Sequence, residues 1–283
     1  MMKCKYFDLD TQVLSDNIGL IFPGWKRGDE RVCILSPHDD DAIIGAGYSI
    51  AAAQENGAKI FVFVFCKGNA GYSTIGEKDT IESIRKSETI KAYEKIGVNK
   101  ENISFFDYSD FSIIQSIGWR LNHGGEGSFK KVMTAFRENR ITRVIIPNHY
   151  REHLDHMAVS IIGSYDSPQA GDPILVDWAG PNNVRSMLQY SVWADLSPED
   201  MLTCGRRKGL RANRIIIVPQ DVEERTRKGI AEYKSQGNII NGLIESREER
   251  RTKNGGYIEV YLSFDPRPKL DYRPYLEAIR DVS

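Results

Sequence analysis

Two short stretches hold most of the side chains that could do chemistry. In the first, Ser36-Pro37-His38-Asp39-Asp40-Asp41, one histidine and three carboxylates follow directly on the apolar run VCIL. In the second, NHYREHLDH, His149, His153 and His156 put three of the chain's five histidines within eight residues, with Asp155 among them, just beyond the apolar run RVIIP. Carboxylates side by side repel one another unless solvent, a cation or hydrogen bonds absorb the charge. A plain reading makes the aspartates N-caps of a helix starting near Ala42 and the histidines polar residues of another helix start. One aspartate would suffice for a cap, and that reading leaves two His/Asp clusters at two strand ends unexplained. A histidine and a carboxylate from one loop with a histidine from another supply three N/O ligands and leave a fourth position open. That is the pattern of a catalytic zinc site, which turns bound water into a nucleophile near neutral pH.

The elements that must position these clusters alternate along the chain. Residues 32–36 (VCILS) and 59–66 (KIFVFVFC) are continuous apolar runs, as expected of strands buried on both faces, and IIGAGYSIAAAQENG between them has helical composition ending at Gly57. TIESIRKSETIKAYEKIGV (80–98) repeats the helical spacing, ISFFD (103–107) follows as a strand, and FKKVMTAFREN (129–139) with RVIIP (143–147) forms the next helix and strand. The alternation predicts an α/β fold, Rossmann-like and doubly wound, on a mostly parallel sheet with right-handed crossovers. In such sheets ligands bind at the carboxyl ends of the strands, where both clusters lie. Beyond about residue 165 the pattern loosens: SMLQYSVWADL, NRIIIVP and GGYIEVYLSFD read as strands and DVEERTRKGIAEYKSQG as a helix. The expected organisation is a single domain over 1–283, its motif-bearing core at about 30–165 and a C-terminal elaboration at 166–283. The charge run SREERRTK (246–253) reads as a solvated helix end or loop.

Composition excludes several classes. Lys and Arg number 38 against 39 Asp and Glu, a net charge of −1 that lacks the basic footprint of a nucleic-acid binder. Cys4, Cys33, Cys66 and Cys204 are scattered without a C-x-x-C pair, which points to a reducing compartment, with the cysteines inside apolar runs packing as small hydrophobes. The first residues lack an apolar signal core and no window approaches a membrane span, so the expected location is cytoplasmic and no membrane partner is expected.

Together these residues resemble the zinc-dependent N-deacetylases of the PIG-L/LmbE type, which remove acetyl groups from N-acetylglucosamine conjugates. That family's first motif, A/S-H-P-D-D-E, is similar to SPHDDDA here, and its H-P-D-H to His153-Leu154-Asp155-His156. GNAGYS (68–73) resembles its glycine-containing loop, Arg85 to Glu88 its helical R-x-x-E, and KSQG (234–237) its late S-Q element. The resemblance implies zinc as cofactor, held by His38, Asp41 and His156, and a small-molecule amino-sugar substrate. It further implies Asp40 as the base acting on zinc-bound water, Asp155 as an acid orienting a histidine, and protonated His153 beside the developing oxyanion. Arg85 would bind a substrate hydroxyl or phosphate, or else form an exposed helix pair with Glu82 or Glu88. Two positions depart from the pattern: Asp39 replaces a proline and Ala42 a glutamate. The first change frees φ, and the second removes a supporting acid for which Asp39 is the candidate replacement.

Two other readings compete. A carboxylate-rich site could hold Mg²⁺ or Mn²⁺ and cleave a phosphoester, although three candidate histidine donors and the lack of a phosphate-binding loop argue against it. A non-catalytic nucleotide-binding module would rest on Gly45-Ala46-Gly47, where the third glycine of the fingerprint is missing and His38 to Asp41 would repel a pyrophosphate. Trp119, Trp178, Trp193 and Tyr150 are core residues or sugar-stacking surfaces.

Overall fold

The computed structural model of the protein describes residues 3–197 and 209–280. Its core is laid down by strands β1 (Lys5–Asp8), β2 (Val13–Ser15), β3 (Arg31–Ser36), β4 (Lys59–Cys66), β5 (Ile103–Tyr108), β6 (Arg143–Pro147), β7 (Ser186–Tyr190), β8 (Arg214–Val218) and β9 (Tyr257–Phe264). They form one sheet in the order β2-β1-β8-β9-β7-β6-β3-β4-β5. Helices α1 (Asp41–Glu55), α2 (Ile81–Lys95), α3 (Ser128–Glu138) and α4 (Leu154–Gln169) follow β3, β4, β5 and β6 in turn. α5 (Gln220–Ile230), α6 (Gly237–Ser246) and the short α7 (Arg273–Ala278) belong to the later part of the chain.

Alternation along β3 and β4 explains the two layers. Val32 and Ile34 of β3 with Ile60, Val62 and Val64 of β4 face one core, shared with α1 and α5 residues such as Ile50 and Ile230. Cys33 and Leu35 with Phe61, Phe63 and Phe65 face the other, shared with Phe136 of α3 and Val159 and Ile162 of α4. Both faces of these strands are dry, which is why their sequences are apolar throughout.

The α/β class is as expected, but the sheet is mixed rather than mostly parallel. β7-β6-β3-β4-β5 pair in parallel, while β2, β1, β8 and β9 pair antiparallel with their neighbours and β9 runs antiparallel to β7. Apolar runs report burial and not direction, so the late strands could not be oriented from sequence. β1 and β2 escaped notice because they are short and half exposed. The helix expected over 221–237 stops at Ile230, and Lys234–Gln236 forms a separate 3₁₀ turn. The run 246–253 is not simply solvated, because Arg247 is buried in ion pairs with Glu223 and Glu259. Cys4, Cys33 and Cys66 are buried and unpaired, and Cys204 lies outside the described residues. No described helix is long and apolar enough to cross a membrane.

α1 is not a continuous helix. Ala46 departs from helical backbone, with φ −132° and ψ 16°. The groups freed by the break find distant partners: the Ile44 carbonyl accepts from Arg247 Nη1 at 3.0 Å and the Tyr48 amide donates to Glu259 Oε2 at 2.8 Å. Gly45 and Gly47 are packing residues. A Cβ on Gly45 would lie 2.5 Å from the Tyr190 ring and one on Gly47 2.8 Å from Thr226, which leaves no need for a nucleotide to explain the glycine pair.

Candidate metal and catalytic site

The parallel half of the sheet brings the two sequence clusters together at its carboxyl edge. β3 delivers the turn Ser36 to Asp41, β6 pairs directly with β3, and the loop after β6 leads into α4. The first turn is wired internally. Asp41 Oδ2 accepts the His38 amide at 2.7 Å, and Ser36 Oγ accepts the Ala42 amide at 3.0 Å. Asp40 is the N-cap residue of α1, yet its side chain makes no capping hydrogen bond, so helix capping does not account for the acidic run.

His38 Nδ1 and His156 Nε2 stand 3.1 and 3.0 Å from the same oxygen, Asp41 Oδ2. His156 Nε2 is buried and, at that angle, has no hydrogen-bond partner. An orphaned imidazole nitrogen aimed at a buried carboxylate fits a cation held between them, and the donor set of two imidazoles and one carboxylate suits zinc. The electrostatics agree. Burial opposes charge on both histidines, but Asp41 and Glu152 outweigh it and push His156 up to about 9, and hydrogen bonds to Asp155 and Asp41 hold His38 well above its usual range. Burial likewise raises Asp41, yet His156 and His38 hold it well below the usual carboxylate range. Protons on these histidines balance a negative charge that a divalent cation would balance instead.

Asp40, next to Asp41 in the chain, has Arg85 as its ion-pair neighbour and feels the charges of Asp39, Asp41 and His38. Burial pushes its carboxyl up to about 6, with the Asp39 and Asp41 charges adding to the effect and Arg85 opposing it. Arg85 is neither exposed nor paired with Glu82 or Glu88. It is 6% exposed, lies beneath the 68–73 loop and forms a double ion pair with Asp39, with its Nη2 3.6 Å from Asp40 Oδ1. A Cβ on Gly71 would lie 2.5 Å from Arg85 Nη1, so any larger residue there would push on the guanidinium that the loop covers. Glu88 instead accepts the amide and hydroxyl of Ser235, and Gln236 donates to the Gly71 carbonyl at 2.6 Å, so the 234–237 element ties α2 to the same loop. Asp39 therefore balances the Arg85 charge and does not stand in for the acid missing at Ala42.

Asp155 lies between His38 and His153, its Oδ2 3.4 Å from His38 Nε2 and 3.7 Å from His153 Nδ1. It also accepts the Phe111 and Ile113 amides and a weak bond from the Cys66 thiol, which burial pushes up to about 12. His153 caps α4, its Nδ1 accepting the Asp155 amide at 3.1 Å. Burial and the nearby His38 lower its pKa, and with Nδ1 taking the Asp155 amide, Nε2 is the ring nitrogen left to donate. His149 stands apart, with Nδ1 3.1 Å from Gln189 Nε2. Trp178 is buried against Trp119, whereas Trp193 is exposed.

Sequence reasoning missed Glu152. Its Oε2 is 2.8 Å from His156 Nδ1, while Oε1 accepts the Ser191 hydroxyl and the amides of Val192, Trp193 and Ala194 at 2.7 to 3.1 Å. A carboxylate on Nδ1 turns Nε2 toward an ion and fixes its tautomer. The only hint in the sequence is the i, i+4 spacing of Glu152 and His156 across the start of α4.

No curated protein sequence matches the chain. Residues 33–164 match the sequence model of the PIG-L family, described as GlcNAc-PI de-N-acetylase. Among solved structures, the chain is similar to the N,N'-diacetylchitobiose deacetylase from Pyrococcus horikoshii, at 18% identity over 84% of each chain with a TM-score of 0.62. It is also similar to a deacetylase in the biosynthesis pathway of teicoplanin, at 19% identity over 82% of this chain and 97% of that one with a TM-score of 0.57. The 4-carboxy-2-hydroxymuconate hydratase from Pseudomonas putida shares the fold at 16% identity, over 86% of this chain and 99% of that one with a TM-score of 0.58, so fold alone does not choose the chemistry. The segment that carries His38, Asp41 and His156 is the one that matches the PIG-L family model, over residues 33–164.

Proposed function

We propose that the protein is a metal-dependent hydrolase that removes the N-acetyl group from an amino sugar or amino-sugar conjugate. The observation that carries this reading is the convergence of His38, Asp41 and an orphaned His156 Nε2 within the family-matched segment, with Asp40 beside them. The deacetylase neighbours support it by fold, and the N,N'-diacetylchitobiose for which one of them is named suggests the substrate class.

His38, Asp41 and His156 would hold the ion. Zinc bound there would supply Lewis acidity, polarising the amide carbonyl and acidifying a water molecule. Asp40 takes a proton from the attacking water, and a carboxyl raised to about 6 is a stronger base than an ordinary one while still ionised near neutral pH. Water oxygen bonds to the carbonyl carbon. His153, whose Nδ1 is committed to the Asp155 amide, offers Nε2–H to the carbonyl oxygen as negative charge develops. The proton held by Asp40 then passes to the nitrogen as the C–N bond breaks, leaving acetate and a primary amine. Arg85 acts on this chemistry through Asp39 and Asp40, not through the substrate.

The test is release of acetate, matched one to one by new primary amine, from N-acetylated amino sugars, sugar nucleotides and glycosides by zinc-loaded protein. Asp40→Asn should keep the metal and lose roughly 10²- to 10⁴-fold in turnover. Phosphate released from phosphomonoesters, with no acetate from any N-acetyl sugar, would replace this reading with the phosphoesterase.

A further inference from the structure

Phe111 follows β5 at the carboxyl edge of the sheet with φ +63°, and it is the only aromatic among the described non-glycine residues with positive φ. A bulky side chain in the left-handed region crowds its own backbone, so such a position persists only where its surroundings impose it. Here they do. On one side Asp110 accepts the Gly68 and Ala70 amides at 3.0 and 2.9 Å and donates its own amide to Asn69. On the other, Asp155 accepts the Phe111 amide at 2.6 Å and the Ile113 amide at 3.3 Å.

Folding gains little from the ring held in this way. Phe111 is 57% exposed, and its contact is with His153, at 4.5 Å between ring centroids, while the His153 ring stands 4.7 Å from that of His38. A strained backbone, clamped from both sides, thus presents an exposed aromatic face directly beside the histidine that addresses the reacting carbonyl. Strain kept where the core does not need it points to a use at the site.

We propose that Phe111 is a substrate-contacting residue that sets specificity, its ring forming an apolar wall beside the scissile amide. It favours substrates that present an apolar face there, either the C–H face of the amino-sugar ring or an aryl group attached to it. The inference rests on the deacetylase reading for the identity of the substrate, and the binding measurements below separate its failure from the failure of the reaction.

The variants are Phe111→Gly, which suits positive φ, and Phe111→Tyr, which keeps the ring. KM and kcat for acetate release are compared on N-acetylglucosamine and on its para-nitrophenyl β-glycoside, and calorimetric Kd values for both sugars are taken on zinc-loaded protein. An aromatic contact is worth roughly 3- to 10-fold in binding, so Phe111→Gly should raise KM and Kd by that factor with kcat within about twofold. Its Tm should be unchanged or higher, and Phe111→Tyr should restore binding. An equal loss on both sugars identifies the sugar ring as the group contacted, and a loss confined to the aryl glycoside identifies the aryl group. If no acetate is released but Kd still rises in Phe111→Gly, the contact stands and only the reaction is refuted. Unchanged Kd for both sugars, or no binding of either by the unaltered protein, overturns the proposal. So does a Tm lower by more than about 5 °C, which would make the ring structural.

Discussion

Replacing Glu152 by glutamine changes one atom of the site and should weaken zinc binding without unfolding the protein. Glu152 Oε1 accepts three backbone amides and the Ser191 hydroxyl, and these donors fix which way a glutamine must point: its carbonyl accepts them in place of Oε1 and its NH₂ faces His156 Nδ1. That nitrogen must then accept, the ring proton moves to Nε2, and the atom expected to meet the ion carries a hydrogen instead. Loss of such a supporting carboxylate typically costs about 10- to 100-fold in metal affinity, or roughly 1.4 to 2.8 kcal/mol. Glu152→Ala should cost as much in affinity and also leave the amides of the 192–194 loop without an acceptor. Each such group costs about 1–3 kcal/mol where water cannot replace the carboxylate. Competition against a chromophoric chelator gives the zinc affinity, and melting of the metal-free protein gives the stability. Glu152→Gln with zinc affinity within twofold of the parent would refute both the tautomer argument and the place of His156 in the ion's coordination.

Asp39→Asn should destabilise strongly, because it leaves the buried Arg85 with only Asp40 nearby: breaking a buried pair costs about 3–5 kcal/mol, so Tm should fall by roughly 6–20 °C, and a change under 2 °C would contradict the ion pair. Asp166 is buried with Oδ2 unpartnered, and burial raises its pKa to about 7. A carboxyl raised by folding stabilises least when ionised, so its cost grows as pH rises from the unfolded value through about 7, and Asp166→Asn should gain up to about 4 kcal/mol near pH 8 and little near pH 4 in urea melts. His156→Ala should lose bound zinc while His149→Ala keeps it, as elemental analysis would show; full occupancy in the first would remove His156 from the ligand set.

Much of this architecture could be read from residue order, for identifiable reasons. β3, β4 and β6 announce themselves because both faces are dry, and because ligands gather at strand ends their polar termini pointed to the two His/Asp clusters, within which the family resemblance implies His38, Asp41 and His156. Sequence order offers Arg85 as a substrate binder or an exposed helix pair and Arg247 as part of a solvated run, because a charged residue in a polar stretch looks the same whether its partner is water, substrate or a buried carboxylate. For Arg85 that partner is Asp39, 46 residues earlier, and for Arg247 it is Glu223, 24 residues earlier. Glu152 gains its role through a loop some 40 residues away, and Phe111 through a backbone angle. Neither leaves a periodic trace.

The break in α1 has a practical meaning for where this molecule can be divided. The first turn of that helix carries Asp41, and the backbone groups opened at its break are closed by Arg247 and by Glu259 on β9. Both closing residues lie outside 33–164, as does Tyr190, whose hydroxyl donates to the Leu35 carbonyl at 2.9 Å just before the turn. A fragment trimmed to the matched segment would keep every candidate ligand and lose the clasps that aim them. The region that carries the family motifs is thus not self-sufficient, and the distal strands act as its jig, so a graft or truncation that respects motif boundaries alone should yield a chain with the right side chains and no assembled centre.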